Sequence, residues 1–286
     1  MIRRPGGFTL VETLIALVLS SIVIVLVSTT FLVQNRYQAL QVLRAAVHDN
    51  ARSATDVVVG ELRSSPPDGI ILAGNRTLTV RSPVALASVC GRSGLFGTVV
   101  DLHIDGGVAG IETDEIAGVA LHDPGSGDWD YARAPWSFLD AGNTGSSVRC
   151  EGNGADTTAA IADFHAVRRL YLLFGFTETP DVGELVMLFR ETTFTIRPSD
   201  LDSMSLALFR EPYGEAAVEF ASGIDTTAYF QYRLGGTSYQ DTVDAGSVDD
   251  IDAVRIVLYA RRPSESLLDE DVTFGWATNR ALRNAP

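Results

Sequence analysis

Phe8 to Val33 reads FTLVETLIALVLSSIVIVLVSTTFLV, and no charged side chain occurs from Thr13 through Asn35. A helix rising about 1.5 Å per residue carries such a run across a hydrocarbon core of about 30 Å, so the stretch is a membrane anchor. Arg3 and Arg4 lie just before it, and the next charged residue after Glu12 is Arg36. Positive charge stays on the cytoplasmic side, which predicts a single pass with the bulk of the chain outside. Ser28-Thr29 makes a poor site for ordinary signal cleavage and release.

The misplaced residue is Glu12. A carboxylate at the start of an apolar helix is costly unless paired or held at the interface, which makes it a functional candidate. The run Gly6-Gly7-Phe8-Thr9-Leu10-Val11-Glu12 resembles the type IV prepilin processing signal of pilins and of the pseudopilins of type II secretion. The resemblance implies cleavage between Gly7 and Phe8 by a prepilin peptidase that also methylates the new Phe8 amine. It further implies that Glu12 pairs with the amine of a neighbouring subunit during assembly. On this reading 1–7 is the leader and 8–33 the transmembrane and filament-core helix.

Past Val33 the pattern becomes one-sided. Tyr37, Leu40, Leu43, Val47, Ala51, Ala54, Val58 and Leu62 recur at three- and four-residue intervals. This predicts an amphipathic continuation over 34–65 whose stripe packs on a sheet. Ser64-Ser65-Pro66-Pro67-Asp68-Gly69 ends it, because proline removes an amide and crowds the preceding turn.

Residues 66–286 read as a β-rich head, in one lobe or in two near 66–163 and 164–286. Short strands are predicted at Ile70 to Leu72, Leu78 to Arg81, Ala85 to Val89, Gly97 to Ile104 and Ile116 to Leu121. From His122 to Asp163 the chain is rich in Gly, Asp, Ser and Thr and reads as a long loop, with Trp129, Tyr131, Trp136 and Phe138 pinning it to the core. Phe164 to Phe176 and Glu184 to Ile196 are expected to pair as an antiparallel hairpin across the turn at Glu178 to Gly183. Alternating strands follow at Ser205 to Arg210, Ala228 to Leu234 and Ile251 to Ala260. The expected fold class is α+β, a long helix on an antiparallel-sheet-rich head.

The order of Leu208-Phe209-Arg210, Glu219 to Asp225, Asp252 to Leu258 and Ala281-Leu282-Arg283-Asn284 resembles that of PilW-type minor pilins and GspJ-type minor pseudopilins. The resemblance implies a subunit that initiates or caps a type IV pilus or a type II secretion pseudopilus. Its implied partners are the prepilin peptidase and methyltransferase, other minor pilins or pseudopilins, and the inner-membrane assembly platform. Its implied place is the bacterial inner membrane with the head in the periplasm, or a filament tip at the cell surface. The alternative is a membrane-anchored extracytoplasmic binding module that never enters a filament.

The net charge is −14 and all 22 basic side chains are arginine. Such a surface repels phosphates, and no basic patch interleaved with aromatics offsets it, so direct nucleic-acid binding is not expected. Cys90 and Cys150 are the two cysteines; an extracytoplasmic compartment favours one disulfide between them, and two free buried thiols are the alternative. The four histidines form no metal set, and no nucleophile elbow or phosphate-binding glycine loop occurs, so the chain reads as a non-enzyme with no cofactor. Asp241, Asp244, Asp249, Asp250 and Asp252 are candidate calcium ligands by residue type, but their spacing departs from the EF-hand pattern and favours a solvated acidic turn.

Overall fold

A computed structural model describes residues 9–66, 68–93, 99–104, 116–123, 129–132, 138–140, 167–171, 181–201, 203, 205–262 and 272–281. An N-terminal apolar helix leads into a globular head rich in antiparallel sheet, an α+β pilin-like architecture. Helix α1 runs unbroken over Leu10–Ser64. Ser65 is extended at φ −61° and ψ 131°, as a residue before proline must be, and its amide still donates to the Glu61 carbonyl. Asp68 then takes a left-handed φ of 59°. The amide of Gly69 donates to the Pro66 carbonyl, and a side chain at Gly69 would collide with Ser65 and Pro66, so glycine is required there.

Among the described residues the head forms a 13-stranded antiparallel sheet organised around two long strands, β2 (Thr77–Ser93) and β8 (Leu185–Pro198). They pair from Thr77↔Thr195 to Ser88↔Leu185. The other edge of β2 takes β1 (Ile70–Ala73) and β3 (Val99–Ile104). The other edge of β8 takes β4 (Gly118–His122) at its start and β9 (Leu206–Pro212) at its end. Beyond β4 lies β5 (Trp129–Ala132). Beyond β3 lie β7 (Val167–Tyr171) and then β6 (Phe138–Asp140). On the C-terminal side the order continues from β9 to β10 (Val218–Ile224), β12 (Ile251–Arg262) and β13 (Val272–Ala281), with β11 (Tyr229–Leu234) also on β12.

Three sequence expectations are corrected here. The segment containing β7 does not form a hairpin with β8, because both edges of β8 are already occupied, by β2 on one side and by β4 and β9 on the other; β7 pairs with β3 instead. The two strands expected at 78–81 and 85–89 are one strand with a register shift between Pro83 and Ala85. Pro83 lies opposite Phe189 of β8 next to that shift, and on its other edge it falls between the pairings of β2 with β1 and with β3, a position where proline's missing amide is tolerated. The polar stretch read as one loop contains β5 and β6; Trp136 and residues 141–163 lie outside the described residues.

Helix α1 lies against β2, β10, β12 and β13. Its buried residues Ala54, Val58 and Leu62 form one core with Leu78, Phe194 and Ile256. The predicted stripe is therefore packed from Ala51 onward, whereas Tyr37 is 65% exposed. Beneath the helix end the β1–β2 turn is tied to β11: the Phe230 amide donates to the Asn75 carbonyl at 2.8 Å and the Tyr232 hydroxyl to the Gly74 carbonyl at 2.9 Å. A second core, including Val89, Leu102 and Leu188, fills the space between β2, β3, β4 and β8. On the opposite face Met187 and Phe189 are covered by Trp129 and Tyr131, so these two aromatics do pin their segment to the sheet. Tyr131 meets Phe189 edge to face with centroids 5.5 Å apart.

Candidate functional site at the N-terminal helix

The helix starts with a reciprocal cap. Thr9 is extended, its hydroxyl accepts from the Glu12 amide at 3.4 Å, and the Glu12 carboxylate accepts from the Thr9 amide at 3.4 Å. This arrangement satisfies two of the amides that a helix N-terminus leaves open and places a negative charge at its positive end. Glu12, the acid singled out in the sequence, is thus held in the first turn by backbone chemistry. Gly7 and Phe8, the expected processing residues, lie outside the described residues.

Behind this cap every side chain from Leu10 to Ala39 is exposed, including Leu17, Ile24 and Leu32, and the segment is long and apolar enough to cross a membrane. Its serines and threonines turn their hydroxyls back onto the helix: Ser20 donates to the Ala16 carbonyl at 2.7 Å and Thr30 to that of Leu26 at 2.8 Å. They therefore add little polarity to the surface that lipid or neighbouring helices would meet.

The other charged group of consequence on the helix is Glu61, which the sequence reading does not single out. Among the described residues of α1 it is the one charged side chain that is buried, at 8% exposure. Its Oε2 accepts from Ser82 Oγ at 2.5 Å, and its Oε1 accepts from Arg190 Nη2 at 3.2 Å and Arg210 Nη2 at 3.0 Å. A glutamate three residues after Val58 and directly before Leu62 lies on the apolar stripe, and that was the available signal.

Across the sheet, Arg81 lies 4.0 Å above the Tyr131 ring and pairs with Glu191 at 3.4 Å. Burial pushes the Tyr131 hydroxyl above its ordinary pKa, against the opposing pull of Arg81, and burial does the same to Tyr232. Cys90 is buried and disulfide-bonded. Its expected partner, Cys150, lies outside the described residues.

The five aspartates considered for calcium do not converge. Asp241 accepts from Gln231 at 2.9 Å, Asp252 accepts from Arg233 at 2.9 Å, and Asp249 and Asp250 belong to a short 3-10 turn at Val248–Asp250. The Asp244 carbonyl receives the Ser247 amide. Among the described residues no group of three or more His, Cys, Asp or Glu side chains is placed to hold a metal ion.

No curated protein matches the chain, and no solved structure does. Residues 2–28 match the family model described as the prokaryotic N-terminal methylation motif. That segment spans Arg3 and Arg4, Gly7, Phe8, Glu12 and most of the apolar run, and with the apolar helix it supports a type IV pilin-like protein of structural type.

Proposed function

We propose that this chain is a minor pilin or pseudopilin that initiates or caps a type IV pilus or a type II secretion pseudopilus, entering the assembly through its N-terminal helix. The observation that carries the reading is an acid fixed in the first turn of an apolar helical segment exposed from Leu10 to Ala39, within an N-terminal methylation motif. A peptidase hydrolyses the Gly7-Phe8 bond, the Phe8 nitrogen becomes a free amine, and methylation follows. The helix stays in the inner membrane with the head on the periplasmic side until neighbouring helices replace lipid around it.

Glu12 then serves registration. Its charge attracts the amine of an adjacent subunit in a medium of low dielectric, while desolvation offsets much of that attraction, so the pair selects one axial setting more than it adds affinity. The Thr9 cap holds the carboxylate near the helix end. A large head decorating such a helix suits a subunit present in few copies, at a tip or in an initiating complex.

N-terminal sequencing of the protein from cells that express the peptidase should return Phe8 as the first residue; recovery of Met1 or Ile2 would overturn the reading. Glu12→Ala should still be cleaved at Gly7 but fail to crosslink to other prepilin-like subunits, and normal crosslinking would remove the pairing role.

A further inference from the structure

The packed half of α1 presents a smooth surface to the sheet. Ala51, Ala54, Thr55, Val58, Val59 and Leu62 are buried, small to medium in size, and repeat at four-residue steps. Apolar contact is non-directional, and a slide of the helix by about one turn, about 5 Å, again presents small to medium side chains to the sheet, with Val58 near the place of Ala54 and Val59 near that of Thr55. Something directional has to select one setting.

We propose that Glu61 is the positioning residue that sets the register of the head along its helix, with Ser82, Arg190 and Arg210 as its seat. The seat spans three adjacent strands: Ser82 on β2 is the cross-strand partner of Arg190 on β8, and Arg210 on β9 is that of Phe194 on β8. One carboxylate oxygen takes both guanidiniums and the other takes the serine hydroxyl. Two cations face one anion, so withdrawing Glu61 leaves two like charges beside each other as well as a carboxylate on an apolar surface. Intermediate settings are therefore excluded, and the register becomes discrete.

A second polar contact lies eleven residues upstream, where Asn50 Nδ2 donates to the Ser222 carbonyl of β10 at 3.0 Å. At about 1.5 Å per residue these two points stand about 16 Å apart along the helix, enough to fix angle as well as height. The value of this device rests on the assembly reading above: a subunit held by its helix presents the correct head surfaces to its neighbours only if head and helix keep one relation.

The test uses the full chain in detergent micelles, spin-labelled through Ser53→Cys on an exposed helix position and Glu215→Cys in the exposed β9–β10 turn. The parent should give one narrow distance by pulsed electron resonance. Glu61→Gln should add a second population displaced by about 5 Å, one helical turn, while the head still melts cooperatively. Arg210→Lys, which keeps the charge, should retain the single distance, and Arg210→Gln should not. An unchanged single distance in Glu61→Gln overturns the proposal. So does loss of cooperative melting in both Glu61→Gln and Arg210→Gln, since the cluster would then hold the head together instead of setting its position. Failure of the parent to crosslink to prepilin-like subunits in cells would defeat the assembly role and leave the distance result standing.

Discussion

One continuous helix has two unlike halves. From Leu10 to Ala39 every side chain is exposed and Glu12 is the one charge before Arg36, while from Ala51 to Leu62 exposed Arg52, Ser53, Asp56 and Val57 alternate with buried Ala51, Ala54, Val58 and Leu62. The same backbone hydrogen bonds run through both, so the difference lies in what surrounds them. The second half finds its apolar partner within its own chain. The first half has an apolar run from Thr13 to Val33 with no charge on any side and needs a solvent the chain does not contain, which is the physical meaning of a membrane anchor.

The strongest way to break this comparison is to truncate one residue in each region. Phe194 is fully buried against the packed half of the helix, and Phe194→Ala should cost the head about 3–5 kcal/mol through lost contact and a residual cavity. Val23→Ala in the anchor should leave the head within about 0.5 kcal/mol of the parent, since Val23 is exposed, as is every side chain from Leu10 to Ala39. Urea melts of both variants in the same detergent measure the contrast. Comparable losses would mean that the anchor contributes to the fold of the head.

The division was largely legible beforehand, because hydropathy and helical spacing are local properties. The run ending at Val33, the stripe through Ala54, Val58 and Leu62, and the stop before Pro66 each depend on neighbours within one or two turns. Strand partnership is not local. Closeness in sequence favours pairing 164–176 with 184–196, but β2, β4 and β9 occupy the two edges of β8 and β7 pairs with β3. Glu61 stayed hidden for a related reason: its importance comes from arginines 129 and 149 residues away, and sequence spacing carries no trace of such a meeting. Glu12 was visible because the motif around it is contiguous, although its cap with Thr9 emerged only from geometry.

An alkaline titration sharpens the comparison, because the buried phenols of Tyr131 and Tyr232 both lie in the head. Burial raises the hydroxyl pKa of Tyr232 and of Tyr131 above the ordinary 10.0. In the unfolded chain both phenols ionise near that value, so above it the unfolded state binds fewer protons than the folded one, and stability must fall as pH rises. Their contribution is intact below pH 10 and declines above it by roughly 1.4 kcal/mol per pH unit for each tyrosine. Tyr232→Phe should remove one share of that slope, at the expense of about 1 kcal/mol from its lost bond to Gly74 at neutral pH. Denaturant melts at pH 9 and pH 11 give the slope; an equal slope in Tyr232→Phe would show that its ring is solvated.

The smallest effect belongs to the anchor's own start. Thr9→Ala removes the hydroxyl that accepts from the Glu12 amide and should weaken the first helical turn by about 1 kcal/mol, with the head's melt unchanged. Thr9→Ser keeps the oxygen and should behave as the parent. Amide exchange is the suitable readout, because the loss is confined to the amides of the first turn, Leu10 to Thr13, and no packed residue senses it. Faster exchange there in Thr9→Ala but not in Thr9→Ser shows that the cap orders the segment carrying Glu12. If the two variants exchange alike, the surrounding micelle orders that turn, and the anchor half depends on its environment even for the geometry of its first residues.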